Sequence, residues 1–201
     1  MPGDVTAAFA AIDQANADDP AGKELDHADK AVAWVRRLRG EGAGGADGAG
    51  VPEALLLAAR AHHVRRWEIP RASYPEGRAG YLKWKRDLQQ HHADVLAPLL
   101  RGAGYDADMV ERVQAIVKKR GLAGASPDPD VQTLEDALCL VFLETQFAEL
   151  AARLDDDKMV DILAKSLRKM SPDGRAAALE FEPGLSDHER SLLTAALERG
   201  L

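Results

Sequence analysis

Apolar residues recur every three to four positions along nearly the whole of this 201-residue chain. No segment shows the sustained apolar/polar alternation, rich in Val, Ile and Tyr, that marks a strand. A chain built this way buries one stripe of each segment against other stripes, which is the grammar of packed helices. Composition agrees: 36 Ala and 25 Leu stand against 5% aromatic residues, a balance that suits helix interiors better than strand faces. The expected fold class is all-α, a single-domain bundle of eight to nine helices spanning residues 1–201.

Punctuation divides the pattern into helices over about 4–16, 23–39, 52–67, 78–100, 106–121, 131–154, 155–170, 172–180 and 187–199. Asp4, Ser171 and Ser186 are expected caps, and Pro52 sits in a first turn. The one low-complexity stretch, GEGAGGADGAG at 40–50, reads as a flexible Gly/Ala-rich loop, because neither flank alone has enough apolar surface for a core. Pro70 and Pro75 make 68–77 a turn-rich, ordered loop. No stretch approaches the run of about 20 apolar residues that a membrane helix needs, and the N-terminus lacks the basic lead of a secretory signal. A cytoplasmic protein without a membrane partner is expected.

Cys139 is the only cysteine, so an intramolecular disulfide and a cysteine cage for zinc are both excluded, and any metal must rest on His, Asp or Glu. Helical phase points to such a set. His27 shares a stripe with Ala31, Trp34 and Leu38; His63 follows Leu56 by two turns, with His62 turned away; His92 lies near the centre of the stripe of Trp84, Leu88, Leu96 and Leu99. Glu135 and Asp136 stand immediately before an apolar run, where an unpaired carboxylate is expensive to bury. His27, His63, His92 and Asp136 are therefore the expected ligands of a divalent transition metal (Mn, Fe, Zn, Co or Ni). Glu24, Asp26, Glu135 and Glu144 are candidates to orient the rings from behind.

The net charge of -7 argues against an extended nucleic-acid or anionic-membrane partner, yet it is unevenly spread. Residues 60–90 hold eight basic and three acidic side chains, a local +5 that leaves -12 elsewhere. Within it, Arg66, Arg71, Arg78 and Lys83, with Tyr74, are expected to bind a small anionic substrate, because guanidinium forks match phosphate oxygens.

His27 on an early helix, the His62-His63 pair closing an Ala/Leu-rich helix, His92 on the next and Asp136 before an apolar helix together resemble the HD-domain superfamily of metal-dependent phosphohydrolases. The runs HHVRRWEIPRASYPEGRAGYLKWKRDL and QTLEDALCLVFLE further resemble an uncharacterised family of bacterial and fungal proteins, often carried as a domain of unknown function and sometimes labelled glutamyl-tRNA synthetase. The first resemblance implies an HD-like scaffold on which His62 shares or takes over the ligand role of His63. It also implies a single metal, since His62-His63 stands where the superfamily has His-Asp. The expected activity is metal-dependent phosphohydrolysis of a small phosphorylated substrate or nucleotide, with Glu135 or Glu144 accepting a proton. Two other readings stay open: a non-catalytic helical module binding a nucleotide, RNA end or protein, and an iron-dependent oxygenase on the same ligands.

Overall fold

In the computed structural model, which describes residues 3–40, 50–124, 126–181 and 184–200, ten α-helices and two short 3-10 turns account for nearly all regular structure. They are α1 (Val5–Asn16), α2 (Glu24–Leu38), α3 (Glu53–Ala61), α4 (Gly77–Gly102), α5 (Ala107–Val117), α6 (Pro129–Thr145), α7 (Phe147–Ala151), α8 (Asp156–Lys169), α9 (Pro172–Leu179) and α10 (Asp187–Gly200). The 3-10 turns, Arg66–Glu68 and Arg71–Ser73, lie between α3 and α4. The all-α expectation holds. The Gly-rich loop at 40–50 falls almost entirely outside the described residues. Among those described, no helix is long and apolar enough to cross a membrane.

α6 is the central element. It buries residues on every side, from Val131 and Leu134 to Leu140, Val141 and Leu143, and it packs on α2, α3, α5, α8 and α9. α1 crosses α3 and α4, while α8 and α10 pair beyond α6. Capping follows the sequence signals. Asp4 Oδ1 accepts from the N–H groups of Thr6 and Ala7 at 2.9 and 3.0 Å, and Ser171 Oγ accepts from Gly174 N–H at 3.0 Å. Ser186 and Glu189 form a reciprocal capping box, Ser186 N–H donating to Glu189 Oε2 at 2.8 Å and Glu189 N–H to Ser186 Oγ at 3.3 Å.

The helix expected over 106–121 ends at Val117, and two others are cut short where the cut shapes the functional site. α3 stops at Ala61 instead of 67: the chain turns through His62 and His63, and Arg65 takes a left-handed backbone (φ 50°). Its N–H donates to Oδ1 of Asn16, a side chain only 2% exposed, at 3.0 Å. The helix expected over 131–154 breaks at Gln146 (φ -125°) into α6 and α7. Thr145 Oγ1 donates back to Val141 O at 2.7 Å, the local competition that bends helices, and Phe147 turns into the core.

The proline loop folds back on α4. Trp84 Nε1 donates to Ile69 O at 2.9 Å, and a Cβ at Gly80 would sit 1.9 Å from Pro75 O. Gly80→Ala is therefore expected to cost about 1–3 kcal/mol. Thermal and denaturant unfolding of the variant checks this; an unchanged midpoint would mean that the loop gives way freely.

Candidate functional site

Ending α3 at Ala61 leaves the carbonyls of its last turn without helical partners. One of them, Ala59 O, is taken by His62 Nδ1 at 2.9 Å, which fixes this buried ring against the helix end. From there His62 Nε2 meets His27 Nε2, on α2, at 2.9 Å. His63 continues the turn. Its ring stacks on His27 with centroids 4.3 Å apart and an interplanar angle of 7°, and lies 4.2 Å from the ring of His62. One nitrogen from each of the three rings lies within 4.8 Å of the others, and this is the one such donor group of three or more among the described residues. His92, on α4, stands behind them with its ring centroid 6.1 Å from that of His63.

The hydrogen bonds assign the protons. A carbonyl oxygen only accepts, so His62 carries its proton on Nδ1, as does His92, whose Nδ1 donates to Val64 O at 2.8 Å. With Glu24 ionised, His63 Nδ1 donates to its Oε2 at 3.1 Å. In each of these rings Nε2 is left as a bare lone pair. His27 Nε2–H then supplies the proton shared with His62 Nε2, a proton that a cation would displace. Burial keeps the rings neutral. It lowers His27 and His92 to about 4, with Arg66 adding to both, and drives His62 and His63 well below the usual imidazole value, with neighbouring imidazoles pushing the same way. Burial also lifts Glu24 to about 7, opposed by Arg66 and aided by Asp19. Neutral imidazoles whose second nitrogen is tied to a carbonyl or carboxylate are what a metal site requires.

His27 and His63, with Glu24, line a cleft of about 480 Å³ whose other walls are Lys23, Asp26, Arg66, Thr145, Gln146 and Glu149. Arg66 reaches it from the 3-10 turn with its guanidinium 5.3 Å over the Trp84 ring. Arg66 Nε, a donor, and His92 Nε2, an acceptor, are both buried without a hydrogen-bond partner. Unsatisfied buried groups are rare and call for an explanation; here one lines the cleft and the other stands beside the ring of His63.

Several expected site residues lie elsewhere. Asp136 does not join the histidines. Its oxygens accept from Gln132 Nε2 (2.9 Å), Ser171 N–H (2.9 Å) and Ser171 Oγ (2.5 Å), joining α6 to the start of α9. The carboxylate at that junction is satisfied by these three donors, and the approach is close enough that a Cβ on Gly174 would fall 2.6 Å from Asp136 Cγ. Glu135 pairs with Lys119 and, at 3.7 Å, with Lys169, on the inner side of α6. Glu144 accepts from Trp34 Nε1 at 2.8 Å in a neighbouring pocket. His92 stays outside the three-nitrogen group, whereas His62, which helical phase turned away, is inside it because the helix has already ended.

The basic island also disperses. Arg60 is spent on Asp13 and Asp29; Arg71 Nη1 donates to Tyr74 O at 2.9 Å; Tyr74 OH and Lys83 both go to Asp87; Arg78 is exposed and away from the cleft. Of the expected anion-binding residues only Arg66 lines the cleft. Asp136→Asn is accordingly expected to leave cation binding unchanged while lowering the unfolding midpoint. Titration of the variant with Mn²⁺ or Co²⁺ decides the point; lost affinity in a folded variant would return Asp136 to the site.

A model of the family described as "Domain of unknown function (DUF4202)" matches residues 6–193. No curated protein and no solved structure matches the chain.

Proposed function

The chain belongs to the DUF4202 family, and from that premise we propose that it is a metal-dependent phosphohydrolase acting on a small phosphorylated substrate. One observation carries this reading: three imidazoles, His27 on α2 and His62 and His63 in the turn that ends α3, bring a nitrogen each within 4.8 Å of the others, and His27 and His63 line a cleft that Arg66 also lines. A divalent cation there would polarise a phosphoryl oxygen and bring the pKa of bound water toward neutrality, the more so because its imidazole ligands carry no charge. Arg66 supplies the cationic fork for the phosphate, held in direction by its stacking on Trp84. Glu24 is a positioning residue, keeping the Nε2 of His63 turned inward.

The donor set, imidazole nitrogen without thiolate, suits Mn, Fe, Co, Ni or Zn alike. The HD-like part of the reading rests on the three histidines; the carboxylate ligand of that superfamily has no counterpart at Asp136. A cytoplasmic setting suits the lone buried thiol of Cys139.

The test is the metal content of protein prepared without a histidine tag, before and after loading with each cation, followed by a panel of phosphate esters with the best-bound one. One cation per chain together with phosphate release supports the proposal. Protein that stays metal-free after loading sinks it, and oxygen consumption by the iron form without phosphate release would transfer the site to oxygenase chemistry.

A further inference from the structure

Beside the histidine cleft, the same face of α2 opens a second pocket of about 480 Å³. The two share a rim. Asp26 lines the first and Lys30 the second, and the two side chains are paired at 2.5 Å; Thr145 lines the first and Glu144, its neighbour in the chain, the second. The second pocket differs in chemistry. Its walls are aromatic, with Trp34 and Phe181 at 5.5 Å between ring centroids and the Arg37 guanidinium 4.9 Å over the indole. Its edge is carboxylate: Glu144, oriented by the indole N–H, and Glu180, paired with Arg37. His27 and Trp34 are seven residues apart on α2, a span of about 10 Å along the axis.

We propose that this pocket holds the planar, N–H-bearing heteroaromatic ring of the substrate whose phosphoryl group lies at the histidine cleft, making that substrate nucleotide-like. The inference rests on the phosphohydrolase reading for the position of the phosphoryl end. Aromatic and guanidinium faces recognise a flat ring. Acceptor-only carboxylates at the edge select ring N–H or amino donors over rings that only accept. The two-turn spacing accommodates a sugar-and-phosphate arm, whereas a bare sugar phosphate would leave the aromatic pocket unused.

The test is calorimetric binding of adenosine 5′-monophosphate, ribose 5-phosphate and adenosine to the cation-loaded full chain, to Ala33→Trp and to Phe181→Ala. Ala33 is exposed and lines the pocket, so a tryptophan there fills it without entering the core. The nucleotide is expected to bind at least about tenfold tighter than ribose 5-phosphate. Ala33→Trp should remove that preference while leaving ribose 5-phosphate affinity unchanged, and Phe181→Ala should reduce it. Metal-free wild type should still bind adenosine, and Ala33→Trp should not. A nucleotide preference below tenfold, or one that Ala33→Trp leaves intact, overturns the proposal. Adenosine binding that Ala33→Trp removes, in a protein that takes up no cation, would overturn the phosphohydrolase reading and leave the ring pocket standing.

Discussion

His62→Ala is expected to abolish stoichiometric cation binding in a chain that still folds. The imidazole is 6% exposed, is held on one side by Ala59 O, and approaches His27 Nε2 within 2.9 Å on the other. A water entering the vacated space would offer an oxygen in place of the imidazole nitrogen, and His62 belongs to the one group of three such donors among the described residues. Loss of a ligand from a three-imidazole set should exceed the roughly 10–100-fold loss that follows from disturbing a supporting partner. Glu24→Gln, which weakens only the orientation of His63, should fall within that smaller range. The fold should survive His62→Ala, because the vacated volume borders a cleft and the variant removes a desolvated polar ring along with its contacts. Two measurements check this together: calorimetric titration with Mn²⁺ or Co²⁺, and the rise of the unfolding midpoint on adding cation, which follows from binding to the native state alone. Wild type should show both and His62→Ala neither. An alanine variant that loads normally would remove the cluster from consideration as a metal centre.

Much of the fold was legible because helices announce themselves locally. Asp4, Ser171 and Ser186 are capping residues followed by helical stripes, and each begins a helix where expected. The internal ends were harder to see. Nothing in His-His-Val-Arg resembles a stop, since no glycine or proline is present; α3 ends there because Asn16, from another helix, captures the Arg65 N–H across the turn. Extrapolating a 3.6-residue phase past Ala61 therefore placed His62 on the wrong side. The break at Gln146, which brings Thr145 and Gln146 to the cleft, depends likewise on tertiary packing of Phe147. Charge misled for a related reason. A count over 60–90 sees excess cation, but Asp13, Asp29 and the local Asp87 absorb much of it once the chain is folded. Asp136 was correctly expected to need a partner; which partner, Ser171 or a metal, is a question of distance that spacing along the chain does not answer.

The largest stability effect is expected at Lys119 and Glu135. Glu135 is 4% exposed in its side chain and faces Lys119, itself 18% exposed, with Lys169 at 3.7 Å. Burial alone would raise the Glu135 pKa, but the charge and hydrogen bond of Lys119, with Lys169 and Lys85 behind, outweigh it and hold the carboxyl below its usual 4.5. Lys119→Met leaves that carboxylate buried without its main partner, a change that typically costs about 3–5 kcal/mol. Replacing both, Lys119→Met with Glu135→Leu, should recover most of the loss, because two desolvation penalties disappear with the pair. The pH dependence follows from the lowered folded-state pKa. The unfolded chain binds the proton more readily than the native one, so the contribution is fully present above about 4.5 and fades as pH falls through the lower native value. Denaturant unfolding of wild type and Glu135→Gln at neutral pH and again in the acid range measures it. The wild type should lose more stability on acidification than the glutamine variant; equal slopes would show that Glu135 is not charged in the native protein.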